Sequence, residues 1–431
     1  MKKIARNLVA SLLASFARAV VRKYRPTVVM VTGSVGKTST KDAVAVALTG
    51  HSYVRASEKS YNSEFGVPLT IFGCKNPWTS AVGWTRVFLE AFALLALPSA
   101  YPRILVLEVG ADYPGDITRI LRIVTPDVVV VTRLPDMPVH VEAYATPEAV
   151  REEEFLPALA LPYGAPLILS ADDPHAQRLA EALSVDKYTY GMAADADVRI
   201  GIPELLVEEG KPEGMQTTVY IEGEEHKLVV RGAIGNPQLL APAAAIATAL
   251  ALDATPEAAL RRLESYVPPA GRGRLLKGKD GAIVLDDTYN ASPAAVIEAL
   301  NTLTLASKQV PGSRRVAVLG DMLELGRYSN EEHTRIGSLA AGLTDVLVTV
   351  GPRAHAIADE ARIAGLAEDK VRSFETSAEA APQIAAMAGA GDIVLVKGSQ
   401  SIRTERIVEQ LLADSADRQF LVRQEREWKK R

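Results

Sequence analysis

The sequence predicts an α/β protein, in which a short N-terminal helix precedes a central domain with a parallel sheet and a C-terminal, Rossmann-like domain. Two observations predict this class. Short β-branched runs alternate with longer helical patterns along most of the chain, which is typical of βαβ units. The alternation stops at a stretch rich in proline and glycine, Tyr266–Arg274, and then restarts, which indicates a second domain.

The composition narrows the class of protein. Of the 431 residues, 48% are hydrophobic and 23% are charged, as in an ordinary soluble globular protein. Cys74 is the only cysteine, which excludes an internal disulfide and leads us to expect a reducing, cytoplasmic compartment. The formal net charge of −4 gives no reason to expect a nucleic-acid partner.

Residues 1–25 are the first predicted element, a basic amphipathic helix. They contain no acidic residue, and their longest uncharged stretch, Asn7–Ala17, is shorter than the roughly 20 residues that span a bilayer. Two interpretations stay open: a helix packed on the protein body, or a peripheral contact with an anionic membrane. The basic residues are Lys2, Lys3, Arg6, Arg18, Arg22, Lys23 and Arg25.

The central domain is predicted over residues 26–269. Short turns with glycine and charged residues in Asp197–Arg231 predict antiparallel strands, and an alanine-rich helix is expected from about Leu239 to Leu252. The buried-type strands are expected at Thr27–Thr32, Ile104–Val109, Val128–Thr132 and Pro166–Ser170.

The C-terminal domain is predicted over residues 270–431. Its strands are expected at Ala282–Asp286, Arg315–Leu319, Val346–Val350 and Ile393–Val396. Polar residues follow these strands, at the edge where ligands bind in open α/β sheets. They are Asp286, Asp287, Asn290, Asp321, Lys397 and Arg403. Individually such residues can also be helix caps, and that role is the better interpretation for Ser292, which precedes Pro293.

The segment VTGSVGKTST, Val31–Thr40, predicts a phosphate-binding loop of a P-loop ATPase domain. Val31 occupies the position of the first glycine in the pattern G-x-x-x-x-G-K-[ST], but the strand–turn–helix context is present. Backbone N–H groups would cradle the phosphates of ATP, Lys37 would reach the outer ones, and the Thr38 hydroxyl would bind Mg²⁺. The predicted nucleotide contacts are Gly33, Ser34, Val35, Gly36, Lys37, Thr38 and Ser39.

Two more residues end strands of the central domain. Glu108 closes the apolar run ILVLE, where a carboxylate needs a cation or hydrogen-bond donors to offset its desolvation. Beside a phosphate loop it could bind Mg²⁺, whereas alone it would indicate a salt-bridged structural residue. His140 follows another strand, and a single histidine is informative only through its neighbours.

Six segments, taken in order, carry a family resemblance. TGSVGKTST, YNSEFGVPLT, LEVGADYPGDI, DDTYNASP, LGDMLELG and LVKGSQSIRTERI resemble the Mur ligases, most closely their MurF branch, over residues 27 to about 412. The Mur-type loop, T-G-[ST]-x-G-K-[ST], accommodates Val31. The resemblance implies a cytoplasmic, ATP- and Mg²⁺-dependent amide ligase of peptidoglycan precursor synthesis, which joins a muramyl-tripeptide acceptor to D-alanyl-D-alanine through an acyl phosphate.

The resemblance also implies roles for particular residues. Lys37 and Thr38 would bind the ATP phosphates and a first Mg²⁺, and Glu108 and His140 would hold a second Mg²⁺. Across the cleft, the resemblance implies that Arg274 and Asn290 contact the nucleotide. The residues implied on the substrate side are Asn62, Asp321, Lys397 and Arg403.

The sequence departs from the family pattern at three points. The family's UDP-binding N-terminal domain normally precedes the loop by more residues than this chain has before Thr27, so we expect the acceptor to be held differently. Glu154 occupies the position of a lysine that many members carbamoylate, and we expect it to supply a catalytic carboxylate, although an exposed acidic helix face would give the same pattern. Pro237 and Ala241 replace polar residues of a helix start, so contacts to the adenine are expected to differ.

Two alternative functions remain open at this point. One is a Mur-type ligase with a different acceptor, lipid-linked or non-muramyl. The other is a non-catalytic nucleotide-binding relative that associates with the membrane through residues 1–25. The joint presence of Lys37, Thr38, Glu108 and His140 disfavours the second alternative, because an inactive site has no physical need for buried charges.

Overall fold

The computed structural model describes residues 2–50 and 52–429. It is an α/β structure with two sheets, one of ten strands and one of six, as the alternating pattern predicted. We call the part built on the first sheet the central domain and the part built on the second sheet the C-terminal domain. The first sheet has the order β10-β9-β7-β6-β5-β4-β1-β3-β2, with β8 paired to β9, and the second has the order β11-β12-β16-β13-β14-β15.

The elements of the central domain follow the chain in this order. The strands are β1 Thr27–Thr32, β2 Val54–Ala56, β3 Ile104–Glu108, β4 Val128–Val131, β5 Pro166–Ser170, β6 Asp186–Gly191, β7 Val198–Ile200, β8 Glu204–Glu208, β9 Lys211–Ile221 and β10 Glu224–Arg231. The helices are α1 Lys2–Tyr24, α2 Lys37–Leu48, α3 Gly66–Phe72, α4 Ala81–Ala96, α5 Asp116–Leu121, α6 Pro147–Leu159, α7 Pro174–Ala180, α8 Pro237–Leu250 and α9 Pro256–Leu263.

The C-terminal domain begins with a strand at Arg274. Its strands are β11 Arg274–Lys277, β12 Ile283–Asp287, β13 Arg314–Gly320, β14 Val346–Val350, β15 Val371–Phe374 and β16 Asp392–Lys397. Its helices are α10 Pro293–Gln309, α11 Ser329–Leu343, α12 His355–Ile363, α13 Ser377–Met387, α14 Glu405–Leu411 and α15 Arg426–Lys429. Except for β11, which pairs antiparallel with β12, neighbouring strands of this sheet are parallel.

The centre of the first sheet is parallel, and its edge beyond β7 is antiparallel. Strand β1 is buried on both faces: Val29 and Val31 pack in one core cluster, and Val28 and Met30 pack in the other. A central parallel strand therefore reads as a continuous apolar run rather than as an alternating one. In the register, Val31 pairs with Glu108 in β3 and with Val130 in β4, so that the loops after these three strands begin at one edge.

Helix α1 packs against the central domain. Leu13, Ala17 and Val20 lie on one side of the helix and are fully buried in a core cluster. Their spacing of four and three residues is that of a helix with one apolar face. Leu8 and Leu12 stay exposed. Within residues 2–50 and 52–429, no helix combines the length and apolarity that crossing a bilayer requires.

Candidate active site

The phosphate loop leaves β1 and enters α2 through two glycines in left-handed conformations. Gly33 has φ 116° and Gly36, the residue before α2, has φ 93°. At Gly33 a Cβ atom would also overlap the hydroxyl of Thr132, which follows β4. Only glycine combines this backbone conformation with such a close approach, so the loop requires glycine at position 33. Val31 lies inside strand β1, where no glycine is required.

Lys37, the first residue of α2, folds back over this loop. Its ammonium group donates a hydrogen bond to the carbonyl oxygen of Gly33 and lies 3.6 Å from Oε1 of Glu154. The Ser34 hydroxyl donates to the other oxygen of the same carboxylate. The structure therefore brings Glu154 to the phosphate loop, at the position where the sequence predicted a carboxylate.

Glu154 reaches the loop because of its position on α6. Thr146 caps this helix by accepting a hydrogen bond from the N–H of Ala149, and Pro147 occupies its first turn. Val150, Glu154 and Ala158 follow one another at intervals of four positions, so they share one face of the helix, and each is 1% exposed. Glu152 lies on the other side of the helix and is exposed. The three consecutive acids thus do not form one solvated face.

Glu108 is buried at the end of β3, next to the start of α2. The Ser60 hydroxyl donates to Oε1 of Glu108 and lies 2.9 Å from the Thr38 hydroxyl. Oε2 of Glu108 is buried and has no hydrogen-bond partner among the described residues. Because an unpartnered buried carboxylate oxygen is costly, this atom is suited to a cation.

An arginine of the C-terminal segment reaches the loop, but it is not the predicted one. Arg272 donates a hydrogen bond of 2.8 Å to the Thr38 hydroxyl. The guanidinium of Arg274 instead lies over the Phe420 ring, 4.5 Å from its centre, and burial lowers its pKa. Arg272 rather than Arg274 therefore contacts the phosphate loop in this structure.

His140 joins the two domains. Its backbone is left-handed, with φ 64°, and its Nδ1 lies 3.0 Å from a carboxylate oxygen of Glu324, while Nε2 lies 3.6 Å from Asp112. Desolvation opposes protonation of His140, but the hydrogen bond and charge of Glu324 outweigh it and raise the pKa of the imidazole. Nδ1 is engaged by Glu324, whereas the 3.6 Å between Nε2 and Asp112 exceeds a hydrogen-bond distance. A histidine that binds a metal commonly gives its other ring nitrogen to a carboxylate, so the metal role of His140 stays a prediction.

The C-terminal domain contributes a lysine to the other side of the cleft. Lys397 is 3% exposed, and its ammonium group donates to Asp287, at 2.6 Å, and to the carbonyl oxygen of Asn290, at 3.0 Å. Burial raises the pKa of Asp287, although the charge of Lys397 acts in the opposite direction. Asn62 of the central domain and Arg403 line the same cleft.

Asp321 and Asp286, which also follow strands, serve the fold instead. Asp321 is 1% exposed and accepts a hydrogen bond from the N–H of Ala354, just before α12. Asp286 is fully buried and accepts bonds from the backbone N–H and the hydroxyl of Thr288. These contacts do not support the predicted substrate role of Asp321, because its carboxylate bonds to the start of α12 and Asp321 does not line the cleft.

A C-terminal tail, residues 421–428, also borders the cleft, and no pattern in the sequence predicted it. Glu425 forms an ion pair with Lys59 of the central domain. The Trp428 ring lies edge-on to the ring of Trp78, with 6.4 Å between their centres, and the Arg403 guanidinium lies 5.7 Å from the Trp428 ring centre. The tail thus connects both domains at the mouth of the site.

Ser60, Arg272 and Glu324 are further site residues that the sequence analysis did not single out. Ser60 directly precedes the YNSEFG motif, and Glu324 lies inside the LGDMLELG motif. Their position at these motifs could have identified both as site residues. Together the two domains enclose a cleft of about 1840 Å³. Pro237 and Ala241 line it, so the third departure from the family pattern lies at the site.

Comparisons with known proteins agree with this arrangement. Residues 85–249 match the Mur ligase middle domain, and residues 271–400 match the glutamate ligase domain of Mur ligases. A UDP-N-acetylmuramoyl-tripeptide–D-alanyl-D-alanine ligase of Mycobacterium tuberculosis (strain CDC 1551 / Oshkosh) is 30% identical over 90% of this chain and 73% of its own length. The ligase of the same name from Bacillus subtilis (strain 168) is 27% identical over 93% of this chain and 79% of its own length.

Solved structures have the same fold. MurF from Thermotoga maritima, in complex with ADP, has a TM-score of 0.76 and 26% identity, and the match covers 95% of this chain and 84% of that one. MurF from Acinetobacter baumannii has a TM-score of 0.76 at 23% identity, over 94% and 81%. The phosphate loop, the second α/β domain across the cleft and these matches together define a nucleotide-dependent ligase. This chain belongs to the Mur ligase family.

Proposed function

We propose that this protein is an ATP-dependent amide ligase that joins a muramyl-tripeptide carboxylate to D-alanyl-D-alanine in peptidoglycan precursor synthesis. One observation carries the proposal: Lys37 of the phosphate loop, which pairs with Glu154, and the buried Lys397 of the C-terminal domain line the same cleft. Relatives that carry the name of this ligase match about nine-tenths of the chain.

The proposed reaction has two steps, because a carboxylate cannot lose oxide to an amine. A carboxylate oxygen first attacks the γ-phosphorus of ATP, ADP leaves, and a mixed carboxylic–phosphoric anhydride forms. The amino group of D-alanyl-D-alanine then attacks the carbonyl carbon, phosphate leaves, and the amine loses a proton. Negative charges converge in the first step, so the site must supply positive charge and oriented donors.

Residues of the loop and of the opposite domain meet this demand. Lys37 would exchange its bonds to the Gly33 carbonyl and Glu154 for the outer phosphates of ATP. The N–H groups at the start of α2 would receive the remaining phosphate oxygens. Arg272, which already bonds to Thr38, would add a second positive charge from across the cleft.

Magnesium is part of the proposal because the available donors are suited to it. The Thr38 hydroxyl, the unpartnered Oε2 of Glu108 and the Glu154 carboxylate are hard oxygen donors close to the loop, which Mg²⁺ prefers. These three residues would hold the ion, whose charge would offset that of the phosphates and the acceptor carboxylate. His140 would keep its ion pair with Glu324 and thereby align the two domains.

On the substrate side we propose three residues. Lys397 and Arg403 offer positive charge to carboxylates of the peptide or the incoming dipeptide, and Asn62 offers an amide next to Gly110. The tail contact of Trp428 with Arg403 would limit access of water to the anhydride. We further propose that the reaction takes place in the cytoplasm and that residues 1–25 contact the membrane surface.

A phosphate-release assay with ATP, Mg²⁺ and D-alanyl-D-alanine tests the proposal. It compares UDP-linked tripeptide, lipid-linked tripeptide and no acceptor. We expect release that requires both an acceptor and the dipeptide, with a ligated product of the corresponding mass. Lys37→Ala should abolish release, whereas Lys308→Ala, at an exposed lysine of α10, should not. Release that is independent of any acceptor would exclude the ligase assignment.

A further inference from the structure

Helices α1 and α4 lie side by side on one face of the central sheet and run in the same direction. Phe16 contacts Phe88 edge-on, with 6.0 Å between the ring centres. Two turns further on, the ammonium group of Lys23 donates to the carbonyl oxygens of Leu94 and Leu97, at 2.8 and 2.9 Å, and so caps the end of α4. The two helices therefore present a joint outer surface.

The outer side of α4 exposes apolar residues beside the Arg86–Glu90 ion pair, whereas its inner side packs in the core through Val87 and Ala91. Val82, Leu89 and Phe92 are 81%, 63% and 59% exposed, and their spacing of seven and three residues puts them on one stripe. Single exposed apolar residues are common on a protein surface, but a stripe of them on one helix is not.

Helix α1 and the residue after α4 extend this stripe. Leu8 and Leu12 of α1 are 61% and 44% exposed, one turn apart and on the side of Phe16, which faces α4. Leu97 is 58% exposed where α4 ends. We call these six residues the α1–α4 surface: Leu8, Leu12, Val82, Leu89, Phe92 and Leu97.

The two segments that carry the α1–α4 surface are rich in basic residues, although the whole chain has a net charge of −4. Three of these bases form ion pairs with nearby acids: Arg6 with Glu64, Lys75 with Glu58 and Arg86 with Glu90. Within residues 6–25 and 73–103, the only acidic residue is Glu90. The basic residues of the same two segments are Arg6, Arg18, Arg22, Lys23, Arg25, Lys75, Arg86 and Arg103. An apolar stripe bordered by arginine and lysine is complementary to an anionic lipid surface, where apolar side chains insert below the headgroups and basic ones pair with phosphates.

We propose that the α1–α4 surface binds an anionic membrane, with Leu89 and Phe92 as the main inserting residues. This extends the contact proposed for residues 1–25, because α4 supplies more of the exposed apolar stripe than α1 does. None of the six residues lines the cleft, so the proposal does not depend on the proposed ligase reaction. No helix in the described part of the chain can span a bilayer, so the contact is peripheral.

Co-sedimentation of the full chain with lipid vesicles tests the proposal. We expect binding to vesicles of phosphatidylcholine with phosphatidylglycerol, and much weaker binding to phosphatidylcholine alone. The double variant Leu89→Glu/Phe92→Glu should lower the partition coefficient at least about tenfold, since it puts two carboxylates on the inserting stripe. Arg22→Ala/Arg25→Ala should lower it several-fold, and added salt should weaken the wild type in the same way.

Ile363→Glu is the matched control, because Ile363 is a single apolar residue of α12 that is 80% exposed. It should leave vesicle binding unchanged, and ATP binding by each variant would show that the fold is intact. Wild-type protein that does not bind anionic vesicles, or equal binding by Leu89→Glu/Phe92→Glu, would overturn the proposal. Self-association in sedimentation velocity that this double variant abolishes would assign the surface to a second copy and would equally overturn it.

Discussion

Replacing Glu154 with glutamine separates two roles of the carboxylate beside the phosphate loop: binding a magnesium ion, or only restraining Lys37. Glu154 is 1% exposed, and one of its oxygens lies 3.6 Å from the Lys37 nitrogen. At an effective dielectric constant of about 20, two unit charges at this separation attract each other by about 5 kcal/mol before desolvation is subtracted. The Lys37 side chain is 14% exposed, and in the variant without nucleotide it still donates to the carbonyl oxygen of Gly33. Because solvent and this bond offset most of the lost attraction, we expect a net change of about 1.4 kcal/mol, or tenfold, in nucleotide affinity.

The sign of this change should depend on magnesium. Without the ion, the phosphates of ATP face the charge of Glu154 directly, so Glu154→Gln should bind ATP about tenfold more tightly. With the ion, the carboxylate attracts the bound cation, so the same variant should bind ATP more weakly and release phosphate more slowly. Titration calorimetry with EDTA and with Mg²⁺ measures both.

Glu152→Gln removes the same charge from the exposed side of α6 and serves as the control. It should change ATP affinity little under either condition. If Glu154→Gln shifted the affinity in the same direction with and without Mg²⁺, the magnesium role would be refuted and only the restraint of Lys37 would remain.

Three further predictions concern the arginines, a buried acid and the loop glycine. Arg272→Ala should raise the KM for ATP about tenfold or more, because a charged hydrogen bond is lost. Arg274→Ala should leave this KM unchanged, because its guanidinium packs on Phe420. Equal effects of the two variants would contradict the assignment of Arg272 to the nucleotide site. Burial raises the pKa of Asp286 from 3.8 to about 6, so the fold binds this proton more tightly than the unfolded chain and loses stability as the pH rises from about 4 to 6. Asp286→Asn should remove about 2 kcal/mol of that pH dependence between urea unfolding at pH 4.5 and at pH 8, and an unchanged pH dependence would contradict it. Gly33→Ala should destabilise the fold by about 1–3 kcal/mol and abolish ATP binding. Gly164 also has a positive φ but has open space around it, so Gly164→Ala should leave ATP binding intact. ATP binding by Gly33→Ala would refute the argument that a Cβ atom at position 33 overlaps Thr132.

The parallel core of the fold was predictable because its strands are buried on both faces. The run TVVMVT of β1 has no polar face, so burial alone identifies it as a central strand. Strand β6, with the sequence DKYTYG, escaped prediction because it begins exposed and carries polar side chains. Its strand conformation comes from pairing with β5, which is a long-range contact that no local pattern encodes.

The site was predictable where a motif determines the backbone, and not where a side chain could turn to either side. The phosphate loop and Glu108 follow from strand ends and glycines. Arg272 and Arg274 both stand next to glycines with positive φ, so the sequence does not tell which of them faces the loop. Their orientation depends on β11, which begins at Arg274 and aligns with Asp286. The contact between Lys59 and Glu425 depends on the packing of two domains, which a one-dimensional pattern does not contain.

Glu154 has a further consequence for the conditions under which the proposed enzyme works. A carbamoylated lysine forms reversibly from dissolved carbon dioxide, so the charge that it provides falls when carbon dioxide is scarce. The carboxylate of Glu154 is present in the side chain itself and is fixed in the loop by Ser34 as soon as the chain folds. The ligase reaction of this protein should therefore run at the same rate in bicarbonate-free buffer, independent of the gas composition around the cell.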